Sequence, residues 1–79
     1  MITPDKHTDI RYSVMYVAGV VMLEVKANGI IHYDDLMNAI LAKVGERAKE
    51  VFPKALSFLY LLGRIAYLAP LDAIQSTEQ

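Results

Sequence analysis

The stretch from Val14 to Leu23 is apolar throughout, broken only by Gly19, and no other feature limits the fold as strongly. Ile10, Val14, Val17, Val21 and Val25 follow one another at spacings of four, three, four and four, which places them on one face of a helix. Met15, Tyr16, Val20, Met22 and Leu23 cover the other faces. The valines also suit a strand, but the length of the segment favours a helix. A helix that is apolar nearly all round is buried nearly all round. In a chain of 79 residues, one small domain can cover only one side of it. The run is too short for a membrane span, which needs about 20 apolar residues.

Composition carries the same message. A chain this short makes one domain and buries only about 60% of the surface its unfolded form exposes. Its apolar content, counted with glycine, exceeds the roughly 45–50% of an average soluble domain, so part of that excess falls on the surface, where contiguous apolar area marks an interface. There is no cysteine, which removes disulfide and thiolate-metal staples. The formal net charge of −1 gives no general attraction to nucleic acid or anionic membrane. Thr3-Pro4-Asp5-Lys6-His7-Thr8-Asp9 is polar and mixed in charge, unlike a signal peptide, so a cytoplasmic location is expected.

Along the chain, residues 1–9 read as an extended lead-in, with Thr8 or Asp9 able to cap the first helix. Asn28-Gly29 ends that helix. Ile30-Ile31-His32 is a short β-like piece. Asp34 is a plausible N-cap for a second helix, with Asp35 at its positive end and Leu36, Ile40, Leu41 and Val44 on its apolar face. Gly45 is placed to end it, and the charged segment 46–50 fits either a helix extension or a loop. Pro53 suits the first turn of a third helix, apolar on most sides through Leu62, with Gly63 as its cap. Ile65 to Leu68 reads as a strand, Ala69-Pro70 as a turn, and Leu71 to Ile74 as a short return strand. Residues 75–79 read as a polar, fraying tail. The core is expected from Val14, Val17 and Val21 together with Phe58, Leu59 and Leu62. This order predicts an α+β, mainly α, winged-helix-like domain over residues 10–74: three helices, a short strand and a C-terminal two-stranded wing.

The inventory for chemistry is thin. Neither His7 nor His32 has a histidine partner at helical spacing, so no metal site is expected; His32 reads as a strand-edge or core residue. Asp34 and Asp35 are neighbours that point apart on a helix. Gly19, Gly29, Gly45 and Gly63 are scattered, and none opens a phosphate-binding loop. No nucleophile motif is present, and no cofactor or catalytic residue is expected; a polar constellation assembled from two copies is the only route to catalysis left. Gly19 inside a helix costs about 1 kcal/mol relative to alanine, which a close helix approach, from this domain or a partner, would offset.

Two stretches carry a resemblance. The opening Pro4-Asp5-Lys6-His7-Thr8 precedes an apolar helix, and later comes Ala55-Leu56-Ser57-Phe58-Leu59-Tyr60-Leu61-Leu62-Gly63-Arg64-Ile65. Together they resemble the small middle components of bacterial ABC-three-component systems, in particular the short sixth type. The resemblance implies a winged-helix-like protein that works beside an SMC/Rad50-like ABC ATPase and an effector, which can be a nuclease, in Lamassu-like defence against phage and other invading DNA. It supplies no catalytic residues. Two features depart from the family pattern: a long, charged link from Gly45 to Phe52, and a wing that turns on Ala69-Pro70 without a glycine.

Two functions follow as expectations. One is a non-catalytic adaptor between ATPase and effector, with a homodimer as a further possibility. Met15, Met22, Tyr60, Tyr67 and Leu68 are its contact residues, since methionine is adaptable and tyrosine joins large area to a polar tip. The other is a small DNA-binding regulator using Lys54 and Arg64, although Glu46 and Glu50 interrupt the nearby cations. The DNA reading predicts duplex binding at low salt that weakens steeply as salt rises and is lost on changing Lys54 or Arg64. An electrophoretic shift series checks it, and the adaptor reading predicts no shift.

Overall fold

A computed structural model of the chain describes residues 13–77. Helix α1 (Val14–Asn28) is followed by strand β1 (Ile30–His32), helices α2 (Tyr33–Val44) and α3 (Ala48–Leu61), strand β2 (Ile65–Leu68), a 3-10 turn (Ala69–Leu71) and strand β3 (Ala73–Ser76). The three strands form one antiparallel sheet in the order β1-β3-β2. The molecule is therefore α+β and mainly α, three helices with one small antiparallel sheet in the expected element order.

One side of each helix builds the core. Val17, Ala18, Val21 and Val25 of α1 meet Leu36 and Ile40 of α2 and Ala48, Phe52, Ala55 and Leu59 of α3, while Ile65, Ala73 and Ile74 close it from the sheet. Phe52 is the largest fully buried side chain. Its ring meets Tyr33 edge-on, with centroids 5.3 Å apart at 70°, so it locks α3 to the start of α2. Val17, Val21 and Leu59 lie where the sequence put them. Val14 and Phe58 are half-buried. Leu62 is 57% exposed, because it falls at the cap of α3, where the chain reverses into β2.

The ends of the elements account for the other differences. Within the described residues Ser13 caps α1, its hydroxyl accepting from the Tyr16 N–H at 3.1 Å; the expected caps Thr8 and Asp9 lie outside them. Asp34 is inside the first turn of α2 rather than its cap. The first N–H of that helix, from Tyr33, is donated to the Asp72 carbonyl at 2.9 Å, so a distant turn does the capping. Gly45 ends α2 at φ 130°, ψ 162°, a conformation essentially reserved for glycine.

Helix α3 starts at Ala48, before Pro53, so the link from α2 is short. Ala48, Lys49 and Glu50 donate to the carbonyls of Gly45, Glu46 and Arg47, a tight entering turn. Pro53 then removes one helix bond, to the Lys49 carbonyl. Both residues are exposed, so water can take that carbonyl while burial of Ala48 and Phe52 holds the helix. At the other end Gly63, at φ 74°, donates to the Tyr60 carbonyl and Arg64 to the Leu59 carbonyl, the paired bonds of a left-handed helix stop.

The return strand also differs from expectation. Residues 71 and 72 belong to the turn, and β3 runs to Ser76, beyond the boundary read at residue 74. Ala73 and Ile74 are buried, and Thr77 donates its N–H to the Arg64 carbonyl at 3.0 Å. The turn needs no glycine because Asp72 takes the left-handed conformation (φ 48°, ψ 52°), which aspartate tolerates better than most residues.

Two stability measurements test this packing. Phe52→Ala is expected to cost about 3–5 kcal/mol, read as a lower urea midpoint or outright unfolding. Gly19 is exposed, and a β-carbon there would meet nothing within 4 Å, so Gly19→Ala is expected to stabilise the isolated domain by about 1 kcal/mol.

Candidate interaction surfaces

The side of α1 opposite its buried stripe is apolar and open. Met15, Gly19 and Leu23 are spaced four apart and share one row along the helix. Met15 is 69% and Leu23 70% exposed, with Tyr16 beside them at 46%. Val20 and Met22 flank the row, half-buried and packed against the core. Among the described residues nothing lies within 4 Å of a β-carbon placed at Gly19.

A second surface lies between α3 and the sheet. It is a groove of about 640 Å³. Its floor is apolar, from Leu56, Ile65 and Ile74. Three tyrosines from three elements stand around it: Tyr33 from α2, Tyr60 from α3 and Tyr67 from β2. Asp34 and Asp72 add two carboxylates, and among the described residues no lysine, arginine or histidine lines the groove. Because α1 faces the core with its buried stripe, its open row points away from this groove, and the two surfaces lie on different sides of the domain.

The wing turn organises the groove. The Tyr67 hydroxyl donates to Asp72 Oδ1 at 2.6 Å. That bond, with desolvation and the nearby negative charge, holds the Tyr67 phenol above its ordinary pKa. Nδ1 of His32 lies 2.9 Å from the Leu71 carbonyl; a carbonyl can only accept, so this nitrogen carries the proton. His32 is thus an exposed strand-end residue that ties the turn to β1.

Of the residues expected at an interface, Tyr60 and Tyr67 come together in the groove, Met15 lies on the open row of α1, and Met22 sits half-buried at its flank. Leu68 is half-buried on β2, opposite Ala73. Lys54 borders a shallow hollow with Val14, Pro53, Ser57, Phe58 and Leu61, and Arg64 is exposed in the turn after α3. Neither cation lines the groove. Leu23, Leu61, Tyr33, Asp34 and Asp72 were missed as surface contributors. Leu23 carried a signal, its four-residue spacing from Met15 and Gly19; the groove residues are scattered in sequence and meet only through the topology. Among the described residues no helix is long and apolar enough to cross a membrane, and no group of three or more histidine, aspartate or glutamate side chains is placed to hold a metal ion.

Residues 29–77 match the family model described as ABC-three component (ABC-3C) system Middle Component 8. The match takes in every element after α1. Its number is eight, where the resemblance pointed to the sixth type; the opening Pro4-Asp5-Lys6-His7-Thr8 lies outside both the match and the described residues. No curated protein and no solved structure matches the chain.

Charge also ties α1 to α2. Lys43 Nζ lies 2.6 Å from Glu24 Oε1, and the Asn28 amide donates to the other oxygen at 3.3 Å. The Lys43 hydrogen bond is the main cause holding the Glu24 carboxyl below its ordinary value of 4.5. A lowered folded pKa gives stability that is present above the ordinary value and lost as pH falls through the folded one. Lys43 is well exposed, so the pair is worth at most about 1 kcal/mol. Thermal unfolding between about pH 6 and pH 3 is expected to show this loss in the native chain and a flatter profile in Glu24→Gln.

Proposed function

Because this chain belongs to the family of ABC-three-component system middle components, we propose that it is a non-catalytic adaptor joining an SMC-like ABC ATPase to an effector in a bacterial defence complex. The observation that supports this reading is a pair of exposed apolar surfaces on one small domain, the Met15–Leu23 row of α1 and the groove between α3 and the sheet. An adaptor needs two faces, and a domain that folded for its own sake would have no use for either. Burying a methionine or leucine fully is worth about 1.5–3 kcal/mol. Met15 and Leu23 in one surface, and Tyr60 and Tyr67 in the other, therefore leave several kcal/mol per face for a partner to realise.

Gly19 fits the same reading. It weakens α1, and among the described residues nothing packs closely against it. A partner helix crossing over it, flanked by Met15 and Leu23, would approach more closely than any side chain would allow. The competing reading, a DNA-binding regulator, needs cations on the face between α3 and the wing. That face carries Asp34 and Asp72, and Lys54 lies outside it.

Co-expression of a tagged chain with the other two components, followed by mass measurement of the purified complex, tests the proposal. Both components are expected to be retained, and a monomer that leaves both behind would overturn it. Met15→Asp with Leu23→Asp is expected to release one component and keep the other, with the fold intact because both positions are exposed. Gly19→Ala is expected to loosen the same contact while making the free domain more stable.

A further inference from the structure

We propose that the groove between α3 and the sheet captures a cationic side chain, arginine first, from an otherwise apolar segment of a partner protein. The proposal rests on the adaptor reading only for the identity of that partner.

The argument begins with what covering the groove would do. Leu56, Ile65 and Ile74 give an apolar floor, which favours an apolar stem. Asp34 and Asp72 stand at the walls. A purely apolar segment would take both carboxylates out of water with only partial compensation at Asp72 from the Tyr67 hydroxyl, which is costly. An anionic occupant such as a nucleic-acid phosphate would add repulsion. A positive group offsets that desolvation most directly.

The rings point the same way. Tyr33, Tyr60 and Tyr67 present aromatic surface from three elements, and the face of a tyrosine attracts a cation. The Tyr67 hydroxyl already donates to Asp72 Oδ1, which fixes the carboxylate while leaving it acceptor capacity for a second donor. Tyr60 lies in the last turn of α3, a turn with no basic residue of its own. Arg64 follows the turn but does not line the groove. Arginine suits this combination better than lysine, because its planar guanidinium can stack on a ring and pair with a carboxylate at once, while its methylene stem lies along the apolar floor.

Butylguanidinium and its neutral counterpart butylurea serve as probes for nuclear magnetic resonance titration of the intact chain. Saturable shifts at Tyr33, Tyr60 and Tyr67 are expected with butylguanidinium, and binding about tenfold weaker or less with butylurea. The double variant Asp34→Asn, Asp72→Asn keeps the shape of both side chains, and asparagine also tolerates the left-handed backbone at position 72. It is expected to abolish the preference, as is Tyr60→Ala at an exposed position; thermal unfolding verifies that each variant folds. Equal responses to the two probes, or shifts unchanged in the double variant, would overturn the proposal.

In the co-expressed complex the double variant is expected to weaken one component's hold by about tenfold. A complex that forms in the native chain and ignores the double variant overturns the groove contact and leaves the adaptor reading standing. A native chain that forms no complex, yet binds butylguanidinium selectively, does the reverse.

Discussion

The structure depends on where β3 sits. This strand pairs with β1 on one edge and β2 on the other, so it joins the segment after α1 to β2. Its register brings Ile31 and Tyr67 to either side of Ile74 and sets the wing turn against the start of α2. From that placement follow the Tyr33–Asp72 hydrogen bond, the capping of α2 by a residue far away in sequence, and the meeting of Tyr33, Tyr60 and Tyr67 around one groove. Asp72 serves in each: its backbone turns the chain, its carbonyl caps a helix, and its carboxylate holds a tyrosine.

The helices contribute a different constraint. Phe52, with Ala48, Ala55 and Leu59, fixes which side of α3 faces inward, and that choice leaves Leu56, Ser57 and Tyr60 toward the sheet. The same burial carries α3 across Pro53. Core packing thus decides both the course of the chain and which residues reach a partner, and the recognition surface is a by-product of the core register rather than a separate element.

Much of this was legible in the sequence. The all-round apolar character of α1 announced an uncovered side, and Met15 and Gly19 stand on it. Three helices follow in the expected order, and the early strand and the glycine stops at residues 29, 45 and 63 lie where spacing and turn chemistry placed them. The misses share a cause: in each, a tertiary contact overrode a local signal. Pro53 looked like a helix start because the burial that tolerates it was invisible. Asp34 looked like a cap because the carbonyl that replaces it comes from residue 72. Ala73-Ile74-Gln75-Ser76 has little β-branched character and a polar end, so the central strand read partly as a tail. Of the groove, only Tyr60 and Tyr67 could be named, since nothing local links them to Tyr33 or Asp72.

The sheet order also dictates a sequence of events in folding. The β2–β3 hairpin is local, closed by a short turn, and hairpins of this kind form in microseconds. Pairing of β1 with β3 must wait until most of the chain has been drawn together, because loop closure precedes its reward. The groove takes shape only at that late step. A ligand seated there touches α2, α3 and the hairpin at once, so by mass action it stabilises the arrangement that holds those three elements together. Occupation of the groove and completion of the fold are thereby coupled.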